Sequence, residues 1–307
     1  MLQRDGFIKE IIKALKIDKD IYFLSADFGA TALDDLRLNY SENFIHCGIS
    51  EQNMVDVATG LALLGKKVFC YAMAPFISLR ALEQIKTGPG IMSLPITLIS
   101  VGVGIGYADS GPTHYVTEEY ACLRSIVGIS IFTAADTKTA SNLAKNLLES
   151  PKFAYVRLDR HFLPEIHPST DKVSYRIIGE INNNIIYNKK IALISHGIMV
   201  HTCARVIELY PDKFFGIDLI CSKPFPNDLI QELSKHQNIM VIDEQTPSGA
   251  LGASVFEAFS NSNLFPKIIN ITLPEKYYFE NIGRQGIFDE NGLNVENIIK
   301  QSKRFDL

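Results

Sequence analysis

Short β-rich runs alternate with stretches of helical period along almost the whole chain, and no other feature limits the fold so strongly. "IYFLSAD" (21–27), "KVFCYAMA" (67–74), "PITLISVGV" (95–103), "SIFTAAD" (130–136) and "FAYVRLD" (153–159) read as strands, most of them separated by helical patterns. Strands joined through helices close right-handed crossovers, which gives a mostly parallel sheet covered on both faces. Between 161 and 188 the rhythm lapses, and Pro, Ser, Asp and three consecutive Asn mark a linker with a leading strand. It resumes in "KIALISHG", "FFGIDLI", "NIMVIDE" and "KIINITL", with helical segments between them. The chain is therefore predicted to be α/β in two domains, 1–170 and 171–307, each a mostly parallel sheet with helices on both faces. The second is expected to be the smaller.

With 307 residues, 47% of them apolar, there is enough material for two such cores. The 30 basic and 34 acidic residues give a net charge of −4 with no basic run, which argues against a nucleic-acid partner. Cys47, Cys70, Cys122, Cys203 and Cys221 are widely spaced, form no CxxC pair and show no zinc-type spacing, so they read as buried free thiols of a reducing compartment. "MLQRDGFIKEIIKALK" carries charge throughout an apolar helical period, so it predicts an amphipathic first helix rather than a signal peptide. No run approaches the ~20 apolar residues of a membrane span. A soluble cytoplasmic protein with no membrane partner is expected.

One acid stands at the mouth of a segment built for burial. In "GISEQNMVDVATGLALLG" (48–65), Ser50 is a natural N-cap and Met54, Val57, Ala58, Leu61 and Leu64 form an apolar stripe. Gly65 ends the helix. Glu51 then lies in the first turn, where a carboxylate gains ~0.3–1 kcal/mol from the helix dipole with no further role. Gly60 inside the helix suggests the close approach of another backbone, and the flanks leave little water. An acid so enclosed is expected to hold its proton and to be able to give it.

"VGVGIGYADSGPTH" (101–114) follows a strand but fails as a dinucleotide fingerprint, because the third glycine falls on Tyr107 or Asp109 and the continuation turns instead of opening a helix. A glycine-rich loop at a strand's carboxyl end still suits a ligand, and His114 at its end is a candidate proton donor or hydrogen-bonding group. In "YVRLDRH", Arg157 and Arg160 close another strand. One of them pairs with Asp159 or a surface acid, or else meets a phosphate or carboxylate at the same sheet edge as His114. Phe76, after Pro75, is core by default.

Taken in order, these stretches resemble the transketolase family, in its pyrimidine-binding and C-terminal domains. "SADFGAT" is similar to the first-strand motif, "GISEQNMVDVATGLAL" to the glutamate motif, "FISLRALEQI" to the aromatic helix, "DSGPTH" to the histidine loop and "RLDRHFLP" to the arginine strand. "DEQTPSGALGASV" stands where the family's C-terminal domain has a Gly-rich turn. The resemblance implies thiamine diphosphate as cofactor, with a protonated Glu51 hydrogen-bonding its aminopyrimidine and selecting the reactive tautomer. It implies that Phe76 stacks on that ring, flanked by Met73 and Leu79 where other members place aromatics. Asp27 would lie near the thiazolium and Thr31 along the substrate channel. His114 would contact the sugar, and Arg160 would grip its phosphate.

Two positions depart from the pattern: a phosphate-binding histidine is replaced by Gly102, and an acid by Ser110. The substrate is thus left open among phosphorylated, unphosphorylated and nucleotide-linked sugars. The family's Gly-Asp-Gly motif for the diphosphate and its magnesium or calcium ion is missing from these 307 residues. The resemblance therefore implies a separate N-terminal subunit carrying that motif, and a dimer of this chain within a heterotetramer. The expected reaction moves a two-carbon ketol unit from a ketose to an aldose. The alternatives are a 1-deoxyxylulose-5-phosphate synthase-like or 2-oxo-acid dehydrogenase beta-subunit-like enzyme, and a non-catalytic α/β module with a vestigial pocket.

Overall fold

The structure is a computed structural model that describes residues 1–26, 30–166, 172–179, 191–234, 236–260, 262 and 265–305. The first half supplies β1 (Ile21–Ser25), β2 (Phe44–His46), β3 (Lys67–Met73), β4 (Ile96–Val101), β5 (Ser130–Thr133) and β6 (Ala154–Leu158). The second supplies β7 (Arg176–Ile178), β8 (Ile191–Ser195), β9 (Phe214–Asp218), β10 (Cys221–Lys223), β11 (Asn238–Ile242) and β12 (Lys267–Ile271). They form a seven-stranded sheet, in the order β10-β5-β6-β4-β3-β1-β2, and a five-stranded sheet, in the order β12-β11-β8-β9-β7. All neighbours run parallel except β10 against β5 and β7 against β9.

The central strands β4 and β6 are buried at every position, on both faces, so their apolar residues do not alternate with exposed polar ones; Thr97, Ser100 and Arg157 are buried with them. The opening helix Gln3–Leu15 buries Phe7, Ile8, Ile11 and Leu15 against helix Thr137–Glu149. That second helix is capped by Asp136, whose Oδ1 accepts from the Thr139 backbone N–H at 2.7 Å.

Every strand read from the sequence is present, and β7 is the leading strand placed in the linker. Sequence reading missed β2 and β10. Each has three residues, too few for a period to register. β10 is informative because it leaves the second half to cover the exposed edge of β5, pairing Cys221 with Phe132. An apolar cluster likewise runs from Leu24 and Val68 through Tyr155 to Phe215 and Val241, so the two sheets share a core. The cysteines are free thiols, with Cys70, Cys203 and Cys221 buried. Among the described residues no helix is long and apolar enough to cross a membrane.

Candidate active site

The carboxyl edge of the larger sheet collects the sequence candidates. β2 leads to Glu51, β3 to Phe76, β4 to the 102–116 loop and β6 to Arg160, and β4 lies between β3 and β6. Open parallel sheets bind ligands at this edge, where the crossovers leave loops free to converge.

Glu51 opens helix Glu51–Leu63 and is 2% exposed. Ser50 is the N-cap residue, but its side chain makes no capping bond. The buried face is Glu51, Met54, Val55, Ala58, Thr59 and Ala62, whereas Leu64 is 75% exposed. Gly60 corrects an expectation: it faces open space, with nothing within 4 Å of where a Cβ would be. The close approach comes from Gly88 instead, where a Cβ would lie 2.4 Å from Thr59 Oγ1.

Glu51 is enclosed but not alone. Arg80 Nη1 donates to Glu51 Oε2 at 2.5 Å, and the same guanidinium lies 4.2 Å from the centre of the Phe76 ring. His114 meets that ring edge-on, with centroids 5.6 Å apart at 73°. The Phe76–Arg80 turn is a π-helical one, a geometry that re-aims side chains and recurs at functional sites. Glu51, Phe76 and His114, drawn from three segments, therefore converge. Arg80 joins them without having been foreseen, since nothing in "FISLR" announces which way its guanidinium turns.

Met73, Leu79, Thr31 and Arg160 lie at or beyond the carboxyl ends of β3, β1 and β6. Met73 is half-buried at the end of β3, and Leu79 is 39% exposed. Thr31 is exposed at the start of the turn Thr31–Leu33. Asp27 lies outside the described residues. Arg160 Nη1 donates to Asp109 Oδ1 at 2.5 Å and lies over the Tyr107 ring at 4.4 Å. His114 Nδ1 is 2.8 Å from Thr113 Oγ1. Among the described residues no three His, Cys, Asp or Glu side chains are grouped as a metal site.

The two arginines of "YVRLDRH" part company. Arg157 points inward, 1% exposed, and its Nε donates to Glu119 Oε1 at 2.9 Å. Around it stand Thr133, Tyr120 and His196, and His196 Nε2 lies 3.0 Å from Asp243 Oδ1. Burial pushes the Glu119 carboxyl up to about 7 against the pull of Arg157. Burial, with Arg157 beside it, holds the His196 imidazole below its ordinary value despite Asp243. Asp159 turns to Arg284, whose Nη1 donates to its Oδ2 at 2.6 Å, while Arg284 Nη2 donates to Glu244 at 2.7 Å. These buried pairs join the two halves of the chain, and spacing gave no sign of them.

Residues 3–165 match the family described as transketolase, pyrimidine binding domain, and residues 184–298 match transketolase, C-terminal domain. The chain is 27% identical to one subunit of the apulose-4-phosphate transketolase of Phocaeicola vulgatus, over 98% of this chain and 96% of that protein. It is 26% identical to the 1-deoxy-D-xylulose-5-phosphate synthase of Nitrosomonas europaea, over 87% of this chain and 39% of that longer protein. A solved structure described as a split-gene transketolase, inactive beta4 tetramer, superposes with a TM-score of 0.86 at 21% identity, covering 99% of this chain and 98% of that one. At that identity the likeness concerns the fold. With more than half its length matched by the pyrimidine-binding-domain family and most of the rest by the C-terminal one, the chain belongs to the transketolase family.

Proposed function

We propose that this chain is the pyrimidine-binding and C-terminal half of a thiamine-diphosphate-dependent transketolase, completed by a separate subunit that holds the diphosphate and its magnesium or calcium ion. The complex, a heterotetramer around a dimer of this chain, moves a two-carbon ketol unit from a ketose to an aldose. Domain limits at 1–170 and 171–307 and a cytoplasmic location belong to the same reading.

The observation that carries it is the pair of contacts made by Arg80. A planar group bearing N–H donors lies on Phe76 and hydrogen-bonds the Glu51 carboxyl. An aminopyrimidine would use the same ring face and the same carboxyl with the hydrogen bond reversed, a protonated Glu51 donating to the ring nitrogen in the place Arg80 vacates. Thiamine diphosphate, when bound, supplies the nucleophilic carbon and the electron sink for ketol transfer. The chain's own side chains do the rest. Glu51 holds a proton at the ring nitrogen, Phe76 carries the ring face, and Met73 and Leu79 line its edges. His114 hydrogen-bonds the sugar and moves its hydroxyl proton, Thr31 lines the approach and Arg160 contacts the sugar's far end; the role of Asp27 toward the thiazolium is carried by the family resemblance.

Support for a second polypeptide comes from the Phocaeicola relative, which is by name one subunit of a transketolase and which this chain matches nearly end to end. Co-purification with that partner, thiamine diphosphate and magnesium should give ketol transfer between a ketose and an aldehyde. Consumption of pyruvate with release of carbon dioxide, and no ketol transfer, would replace this reading with the synthase-like or dehydrogenase-like one.

A further inference from the structure

We propose that Tyr107, Asp109 and Arg160 select a substrate whose far end is uncharged and hydroxyl-bearing, and disfavour a terminal phosphate. The inference rests on the ketol-transfer reading and adds the substrate class to it.

Gly102 is the first observation. Its φ is +80°, and a Cβ there would lie 2.0 Å from the Tyr107 ring, so the ring fills the space a side chain at 102 would need. Gly106 tightens the same loop, because a Cβ on it would come within 2.9 Å of Gly102 Cα. Tyr107 is thereby laid back at the mouth of β4, beside the end of β6, where the Gly102 N–H donates to Leu158 O at 2.9 Å. That position puts its ring under the Arg160 guanidinium.

The second observation is charge. Arg160 is paired with Asp109 of the same loop at 2.5 Å, and that hydrogen bond holds the Asp109 carboxyl below the ordinary carboxylate range. Asp109 is thus an anion at neutral pH. An incoming phosphate must either displace it from Arg160 or sit beside it, and like charges side by side are a recognised means of rejecting a wrong partner. A vicinal diol meets no such penalty. It donates to the Asp109 carboxylate and accepts from the guanidinium and the phenol without breaking electroneutrality. Elsewhere an exposed Arg–Asp pair would be ordinary surface. Here the loop that holds Asp109 and Tyr107 also carries His114 to Phe76.

The test uses the complex with the diphosphate-binding subunit, L-erythrulose as donor, and D-erythrose or D-erythrose 4-phosphate as acceptor. Wild type should favour erythrose in kcat/KM by at least about tenfold, and Asp109→Asn should narrow that ratio by about fivefold, mainly through KM for the phosphate ester. Inorganic phosphate followed by ³¹P NMR with this chain alone gives a readout free of catalysis. Broadening should be negligible for wild type, appear in Asp109→Asn, and vanish again when Arg160→Gln is added. A wild-type preference for the phosphorylated aldehyde, or a ratio unmoved by Asp109→Asn, overturns the inference and leaves ketol transfer standing. Transfer to neither aldehyde overturns both.

Discussion

Two constellations in this chain are built from the same four kinds of side chain. At the sheet edge stand Glu51, Arg80, Phe76 and His114, and between the sheets stand Glu119, Arg157, Tyr120 and His196. In each, the arginine pairs with the acid and lies over the ring, at 4.2 Å in the first and 5.3 Å in the second. In each, the histidine meets the ring edge-on, at 5.6 Å and 73° or 5.5 Å and 78°. What separates them is access to water: the Arg80 side chain is 38% exposed and that of Arg157 1%. An exposed guanidinium can leave and be replaced by a ligand, whereas a buried one leaves an uncompensated charge behind. The same chemistry is a receptor in one place and a rivet in the other.

The sharpest way to break this contrast is to remove each arginine or acid in turn. Arg157→Met should cost about 3–5 kcal/mol of folding stability, read as a lower urea midpoint, because Glu119 is left buried without its partner. Adding Glu119→Gln should recover part of that loss. At the edge the same kind of change should touch function and spare the fold. Glu51→Gln should lower ketol-transfer kcat by about 10²–10⁴-fold, with a thermal midpoint close to wild type. A collapse of folding in Glu51→Gln, or a stable but inactive Arg157→Met, would reverse the assignment of roles.

This division also marks what was legible in the sequence. The strand–helix alternation is a statement about period, and period survives in a single sequence, so ten of the twelve strands were readable. Glu51 was legible as a first-turn acid because a Gly-Ile-Ser turn precedes an apolar helical stripe, although Ser50 makes no side-chain cap bond. Arg157 and Arg160 were not distinguishable, since strand alternation places a side chain on a face but does not say what covers that face. Arg80, Tyr107 and Arg284 went unseen for the same reason: their partners lie far along the chain, and each contact depends on loop geometry rather than spacing. Gly60 misled because a glycine in a helix marks permission for a close approach, not its occurrence.

An intermediate case tests whether burial grades the effect. Arg284, 9% exposed in its side chain, holds Asp159. Burial alone would raise the Asp159 carboxyl, but Arg284 and the His161 hydrogen bonds bring it down to about 2. A depressed carboxyl contributes stability that is present above its ordinary value of 3.8 and is lost as pH falls through about 2. That contribution is about 2 kcal/mol by linkage. Urea midpoints for wild type and Asp159→Asn between pH 4.5 and pH 2 should therefore converge as the pH drops, the wild type losing its advantage. Parallel curves would mean that Arg284 is held by Glu244 alone.

The smallest expected effect is the most discriminating. Arg80→Ala removes a half-exposed partner from the buried Glu51 carboxyl. The wet guanidinium keeps the pair's own worth near that of a surface pair, about 0–1 kcal/mol, but the acid left behind is buried, so the stability loss should fall between that and the loss in Arg157→Met. Yet the guanidinium covers the Phe76 face and the Glu51 oxygen that the cofactor ring needs, so every binding event must first displace it. A pocket occupied by its own side chain lowers apparent affinity by the fraction of time it is closed. Half-saturation of the complex by thiamine diphosphate should accordingly fall by about two- to fivefold in Arg80→Ala, the factor matching a displaced contact of that strength. Arg80→Lys, which keeps the charge but lacks the planar fork, should fall between. Weaker binding in Arg80→Ala would mean that the guanidinium stays beside Glu51 and helps to hold the ring. The edge and the interior would then use their arginines alike, and exposure would no longer explain why one of them is a site.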